Sequence, residues 1–168
     1  LLADEPGLGK TAQALLAAAA SNSYPLLVVV PNVVKTNWAR EVGLWTPGRT
    51  ATVVHGDGND VDAFSDVVIV NYEILDRHVG WLGDHGFRGM VVDEAHFIKN
   101  KKSQRSQHVD EISERIRRRE QRIDEVGANH HHLLSSLILI GAKEPAARDR
   151  QVADFRQLRG GARDRDVF

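Results

Sequence analysis

The stretch Gly89–Asn100, GMVVDEAHFIKN, carries a short apolar run that ends on two adjacent acids. Asp93 closes what reads as a buried strand, and Glu94 follows it directly. Two neighbouring carboxylates at a buried strand end are costly unless a cation or a catalytic task holds them there. A matching partner lies earlier, in Leu1–Thr11, LLADEPGLGKT. A strict phosphate loop has a glycine, four residues, then Gly-Lys-Ser/Thr. Gly9-Lys10-Thr11 satisfies the second half, while Asp4 stands at the first glycine position. Gly7 and Gly9 still allow main-chain N–H groups to turn inward around phosphate oxygens. Lys10 is then expected to reach the β- and γ-phosphates of ATP and Thr11 to hold Mg²⁺. The helix that starts there turns its positive end towards the anion. Asp93 is expected to reach the same Mg²⁺, and Glu94 to orient or deprotonate the attacking water. Together the two stretches predict a nucleotide hydrolase with Lys10, Asp93 and Glu94 as its catalytic groups.

Between and around them, short β-branched runs alternate with helical patterns. Leu26–Val30, Ala51–His55, Val67–Val70 and Met90–Asp93 read as strands buried on both faces, which implies a parallel sheet. Leu137–Ile140 can add one more. Thr11–Ala20 consists almost wholly of good helix formers and is stopped by SNSYP. Asn32 can cap a helix carrying Val34, Trp38, Val42 and Trp45, in which core packing of the two tryptophans is favoured over base stacking. Ser103 can cap a long polar helix towards Val126 with Val109, Ile112, Ile116 and Ile123 as its apolar stripe. The expectation is a three-layer α/β lobe with a mostly parallel central sheet, whose ligands gather at the carboxyl ends of the strands.

At 168 residues, 42% apolar and 27% charged, the chain has the composition of one globular domain rather than of a disordered one. The net charge of −1 confines any nucleic-acid surface to a local patch. With no cysteine, disulfides and cysteine-held zinc are excluded. Ala12–Ala20 is too short and alanine-rich to span a bilayer, and Asp4 and Glu5 precede it where a secretory signal needs positive charge. No membrane role is expected. His130–His132 do not share a face, which argues against a metal site. The run RIRRRE is interleaved with Glu111, Glu114, Glu120 and Asp124, and a solvated helix face is favoured over phosphate contact.

The motifs in order resemble the Swi/Snf-like branch of helicase superfamily two. ADEPGLGKT resembles motif I, and DEAHFIKN resembles motif II with the Ile98-Lys99-Asn100 that marks the branch. LLVVVPNVVKTNWAREVGLWTP is similar to motif Ia with its Asn-Trp-x-x-Glu. VVIVNYEIL is similar to motif Ib, with Asn71 in place of the more usual threonine. These neighbours argue against an unrelated phosphate-loop switch protein. The resemblance covers about residues 1–109. It implies a RecA-like phosphate-loop lobe over residues 1–142, partial at its start, with residues 143–168 unassigned.

What the resemblance implies follows position by position. Asp4, Glu5, Gly7, Leu8, Gly9, Lys10 and Thr11 form the ATP-binding motif, with Thr11 and Asp93 on Mg²⁺. His96 relays between nucleotide and motif III, although a plain hydrogen-bonded strand-end histidine is an equal alternative. Asn32, Lys35, Asn71, Tyr72, Lys99, Lys101 and Lys102 are candidate contacts to double-stranded DNA. A second RecA-like lobe is expected downstream, and the chain is read as a fragment of a cytoplasmic protein, nucleoid-associated in a bacterium or nuclear in a eukaryote. The match breaks at motif III. Where Leu-Thr-Gly-Thr-Pro is expected, LILIGAKEP aligns Gly141 but places Ile140, Ala142 and Lys143 at the polar positions. A remnant that binds nucleotide without turnover is the competing expectation.

Overall fold

The computed structural model describes residues 9–58, 61–126 and 136–139. The phosphate-turn residues Asp4, Glu5, Gly7 and Leu8 lie outside them. So do the histidine run, the motif III stretch from Ile140, the tail 143–168 and the side chain of Ile123.

Five parallel strands form one sheet in the order β2-β3-β1-β4-β5. They are β1 (Leu26–Val30), β2 (Ala51–Val53), β3 (Val67–Asn71), β4 (Gly89–Val92) and β5 (Ser136–Leu139). Central β1 pairs with β3 on one side, Val28 opposite Ile69, and with β4 on the other, Val28 opposite Val91. Every residue of β1, β3 and β4 is buried, as strands covered on both faces require. β2 is shorter than the sequence predicts. Val54 still donates its N–H to Ile69 O at 2.8 Å, but the chain turns away at Gly56 before His55 can pair.

Helices cover both faces. On one, α1 (Lys10–Ala20) and α2 (Lys35–Trp45) set Ala14, Leu15, Ala18, Trp38 and Val42 against Leu26, Val28 and Val30. On the other, α3 (Leu75–Asp84) and α4 (Gln104–Val126) set Leu75, Val79, Leu82, Val109, Ile112 and Ile116 against Leu27, Val29, Val68 and Val92. The three-layer expectation holds, and the odd and even residues of β1, β3 and β4 feed different cores.

Some local features differ from the sequence reading. Asn32 caps no helix. It opens a short 3-10 turn, Asn32–Val34, and α2 begins at Lys35 without a side-chain cap. Helix α3 has no counterpart in the sequence reading. Trp45 is not a core residue: it is 42% exposed, and its indole donates to Glu41 Oε2 at 2.5 Å on the helix surface. Ser103 does cap α4, its hydroxyl accepting the Ser106 N–H at 3.3 Å. SNSYP stops α1 through Asn22, which takes a left-handed φ of 48° and donates to Ala19 O, while Ser23 donates to Ala18 O.

Candidate functional site

The parallel sheet brings the carboxyl ends of β1, β3 and β4 to one edge, where the segments Pro31–Val34, Asn71–Ile74 and Asp93–Ile98 leave the strands. Lys10 at the start of α1 lies close enough for its charge to act on Asp93. Gly9 precedes it in the left-handed region, φ 67° and ψ 35°, a conformation glycine adopts without steric cost. Gly9 offers no side chain to cap α1, and a helix start of this kind turns its N–H groups and positive end towards an anion. Thr11 lies in the same first turn and is half-buried.

Asp93 follows β4 and extends its ladder by one bond, donating its N–H to Val29 O at 2.9 Å. Its carboxylate is fixed by two donors. The Trp38 indole N–H reaches Oδ2 at 2.9 Å, and the Glu94 main-chain N–H reaches Oδ1 at 2.8 Å. Burial pushes the Asp93 carboxyl above the ordinary range. The two hydrogen bonds pull it down, the Glu94 charge raises it again and Lys10 lowers it. A half-buried carboxylate whose desolvation outweighs its donors is short of positive charge. That chemistry fits a hard divalent cation such as Mg²⁺, which takes carboxylate oxygens and otherwise keeps its waters.

Glu94 occupies the left-handed region, φ 51° and ψ 51°, which costs a residue with a side chain roughly 1–2 kcal/mol. The turn breaks the line of β4 and starts the 3-10 segment Ala95–Ile98. Strain of this kind at a strand end clusters at working sites. Glu94 remains 43% exposed at its side chain, with Oε2 3.0 Å from His96 Nδ1. His96 stacks on Phe97 with ring centroids 4.3 Å apart. The structure therefore gives His96 a partner in the acid pair itself.

The candidate DNA contacts divide. Asn32, Lys99, Lys101 and Lys102 are exposed around this edge. Lys35, Asn71 and Tyr72 are buried at 7%, 3% and 3% exposure, with their polar groups bonded within the protein. Lys35 Nζ donates to Asn71 Oδ1 at 2.8 Å and to Val54 O at 3.2 Å. Asn71 Nδ2 in turn donates to Glu73 Oε2 at 2.7 Å. The Tyr72 hydroxyl donates to Asp93 O at 2.5 Å, and burial with the nearby Asp93 and Glu94 charges pushes that phenol well up. The roles of Trp38 and Tyr72 around Asp93 escaped the sequence reading. The one signal for Trp38 was its place in Asn-Trp-x-x-Glu, which marks the position without naming its partner.

A bare helix start and an acid pair thus lie together at the strand ends of a three-layer parallel α/β lobe. The SNF2-related domain family matches residues 1–118, and the chain belongs to that family. It is 36% identical over 131 residues to the ISWI chromatin-remodeling complex ATPase ISW1 of Saccharomyces cerevisiae, a match of 70% of this chain and 12% of that protein. It is 30% identical over 127 residues to the DNA annealing helicase and endonuclease ZRANB3 of Bos taurus, again 70% of this chain and 12% of that protein. Among solved structures, the SWI2/SNF2 ATPase core of Sulfolobus solfataricus in complex with double-stranded DNA superposes with a TM-score of 0.65 at 26% identity, over 89% of this chain and 28% of that one. The chain thus spans about an eighth of the length of these curated relatives. Among the described residues, no helix is long and apolar enough to cross a membrane.

Proposed function

We propose that this lobe binds and hydrolyses Mg-ATP as the first motor lobe of a double-stranded-DNA translocase. The observation that carries the reading is the Asp93 carboxylate, desolvated at the end of β4, oriented by two N–H donors and within the field of Lys10. Lys10 and the start of α1 bind the phosphates. Thr11 and Asp93 hold Mg²⁺, which when bound spreads positive charge over the phosphate oxygens. Glu94, still accessible, orients the attacking water and accepts its proton. His96, paired with Glu94, connects that carboxylate to the segment leaving β4. Duplex DNA runs past the strand-end segments, where Asn32, Lys99, Lys101 and Lys102 reach its phosphates without reading sequence. The matching compartment is the nucleoid of a bacterium or the nucleus of a eukaryote.

The alternative, a lobe that holds nucleotide without turnover, draws on one sequence feature: Ile140, Ala142 and Lys143 at the motif III positions. Calorimetry with Mg-ATP and a steady-state phosphate-release assay separate the two. Lys10→Ala is expected to lose nucleotide affinity, and Glu94→Gln to retain it while losing turnover. Equal affinity of wild type and Lys10→Ala sinks the site assignment. Absence of turnover in the wild type, with binding intact, selects the alternative.

A further inference from the structure

Asp93 is gripped from both faces of the sheet. From the α1/α2 face, Trp38 sends its indole N–H to Oδ2 at 2.9 Å. From the α3/α4 face, Tyr72 sends its hydroxyl to the Asp93 main-chain oxygen at 2.5 Å. Both rings are almost fully buried, Trp38 at 1% and Tyr72 at 3% exposure, and each belongs to a different core. A buried indole N–H needs an acceptor, and a main-chain carbonyl would serve packing equally well. Here the acceptor is the carboxylate of the nucleotide site, 55 residues away in sequence.

The geometry fixes more than position. With Oδ2 taken by Trp38 and Oδ1 by the Glu94 N–H, each carboxylate oxygen has one hydrogen-bond donor among the described residues. An ionised carboxylate offers roughly four lone-pair sites, so these two donors set its plane without exhausting its capacity to accept. Without the indole N–H, the carboxylate can rotate about its remaining bond to Glu94. Without the Tyr72 hydroxyl, the main chain at Asp93 loses its tie on the opposite face, beside the strained Glu94.

We propose that Trp38 and Tyr72 are positioning residues that hold the Asp93 carboxylate in the orientation that accepts Mg²⁺. The proposal rests on the reading of Asp93 as a metal ligand. Both rings are buried in the cores behind the carboxylate. Groups that orient a metal ligand from behind change metal affinity by about 10–100-fold when removed. Trp38→Phe keeps an aromatic ring in the core and deletes the N–H, and Tyr72→Phe deletes only the hydroxyl.

The test uses the whole chain with a non-hydrolysable ATP analogue. Mn²⁺ affinity is read by electron paramagnetic resonance at saturating nucleotide, and nucleotide affinity by calorimetry in EDTA. Far-UV circular dichroism and melting establish that each variant is folded. Trp38→Phe is expected to weaken Mn²⁺ binding by at least about tenfold with metal-free nucleotide affinity unchanged, and Tyr72→Phe to act in the same direction. A purely structural role would lower both affinities together, and that result overturns the proposal. So does a folded Trp38→Phe that binds Mn²⁺ like the wild type. Should Trp38→Phe not fold, Tyr72→Phe decides alone: unchanged Mn²⁺ affinity there overturns it. Asp93→Asn separates the two levels. Wild-type Mn²⁺ affinity in Asp93→Asn removes the metal-ligand reading itself. A loss there beside unchanged Trp38→Phe and Tyr72→Phe leaves that reading standing and removes only the positioning role.

Discussion

Replacing Lys35 by methionine tests whether a lysine beside the proposed DNA path serves the fold or the duplex. Lys35 Nζ lies 2.8 Å from Asn71 Oδ1 and 3.2 Å from Val54 O, at a residue 7% exposed. Methionine keeps the length of the stem and deletes both donors. Each buried acceptor left without its donor costs roughly 1–3 kcal/mol. Relief of the burial of the amine offsets part of that sum. The net expectation is a loss of about 2 kcal/mol, or a fall of roughly 4–8 °C in Tm for a domain of this size. The double variant Lys35→Met/Asn71→Leu should recover part of the loss, because partners in one hydrogen-bond network are not additive. Urea unfolding measures the stability, and fluorescence anisotropy with a labelled duplex over a salt series measures the binding. If Lys35 instead touches a DNA phosphate, its removal leaves stability unchanged. Duplex affinity then falls, and the salt dependence drops by about one counterion's worth. That pair of results would refute the buried role.

Two further perturbations act on stability. Asp66 accepts from Thr50 N at 2.8 Å, Thr50 Oγ1 at 3.1 Å and Arg49 at 2.8 Å, and the Arg49 guanidinium lies 4.2 Å from the Tyr24 ring centroid. Asp66→Asn is expected to cost about 1 kcal/mol at neutral pH, from the loss of charge-assisted bonds at a partly exposed site. The Thr50 N–H and Arg49 hold the Asp66 carboxyl below its ordinary range. Its contribution is therefore complete above the unfolded carboxylate pKa and disappears as pH falls through the lower folded value. Urea curves for both proteins should converge in acid, and a gap that widens there contradicts the clamp. Asp93 has the opposite sign, because burial raises its folded pKa. Stability falls as pH rises from the unfolded towards the folded value, so metal-free Asp93→Asn should melt above wild type at neutral pH. A lower melting temperature would show that the carboxylate is not desolvated at a net cost.

The two predictions with opposite signs separate structural from functional acids. Asp66 joins the loop before β2 to the start of β3 and stabilises the lobe. Asp93 carries a charge the fold would hold more cheaply as a neutral group, and the left-handed Glu94 beside it adds backbone strain. Destabilising features kept side by side at a strand end are what the proposed cation and phosphate site requires.

The strands were legible in the sequence because β-branched runs such as LLVVV and VVIV are buried on both faces, so local composition and environment agree. The acid pair was legible for the same reason, since charge at the end of such a run stands out. Helix α3 was not, although Leu75, Val79 and Leu82 make its buried stripe. Gly80 and Gly83 lower its helix propensity, and packing against α4 supplies what propensity lacks. The bonding partners of Lys35, Asn71, Trp38 and Tyr72 were not legible for a different reason. Local pattern says which residues leave a strand end but not which ends are neighbours. With β1 between β3 and β4, the segment after β1 reaches in both directions. Lys35 meets Asn71 at the end of β3, and one helical turn later Trp38 meets Asp93 after β4. Neither pairing is consecutive in the chain, so each depends on the sheet order rather than on any window of sequence. The same order brings Tyr72, leaving β3, to the Asp93 carbonyl across the end of β1. The position of the Asp93 carboxylate is therefore a property of the assembled sheet, and perturbing the ends of β1 or β3 should reach it through a single hydrogen bond on either side.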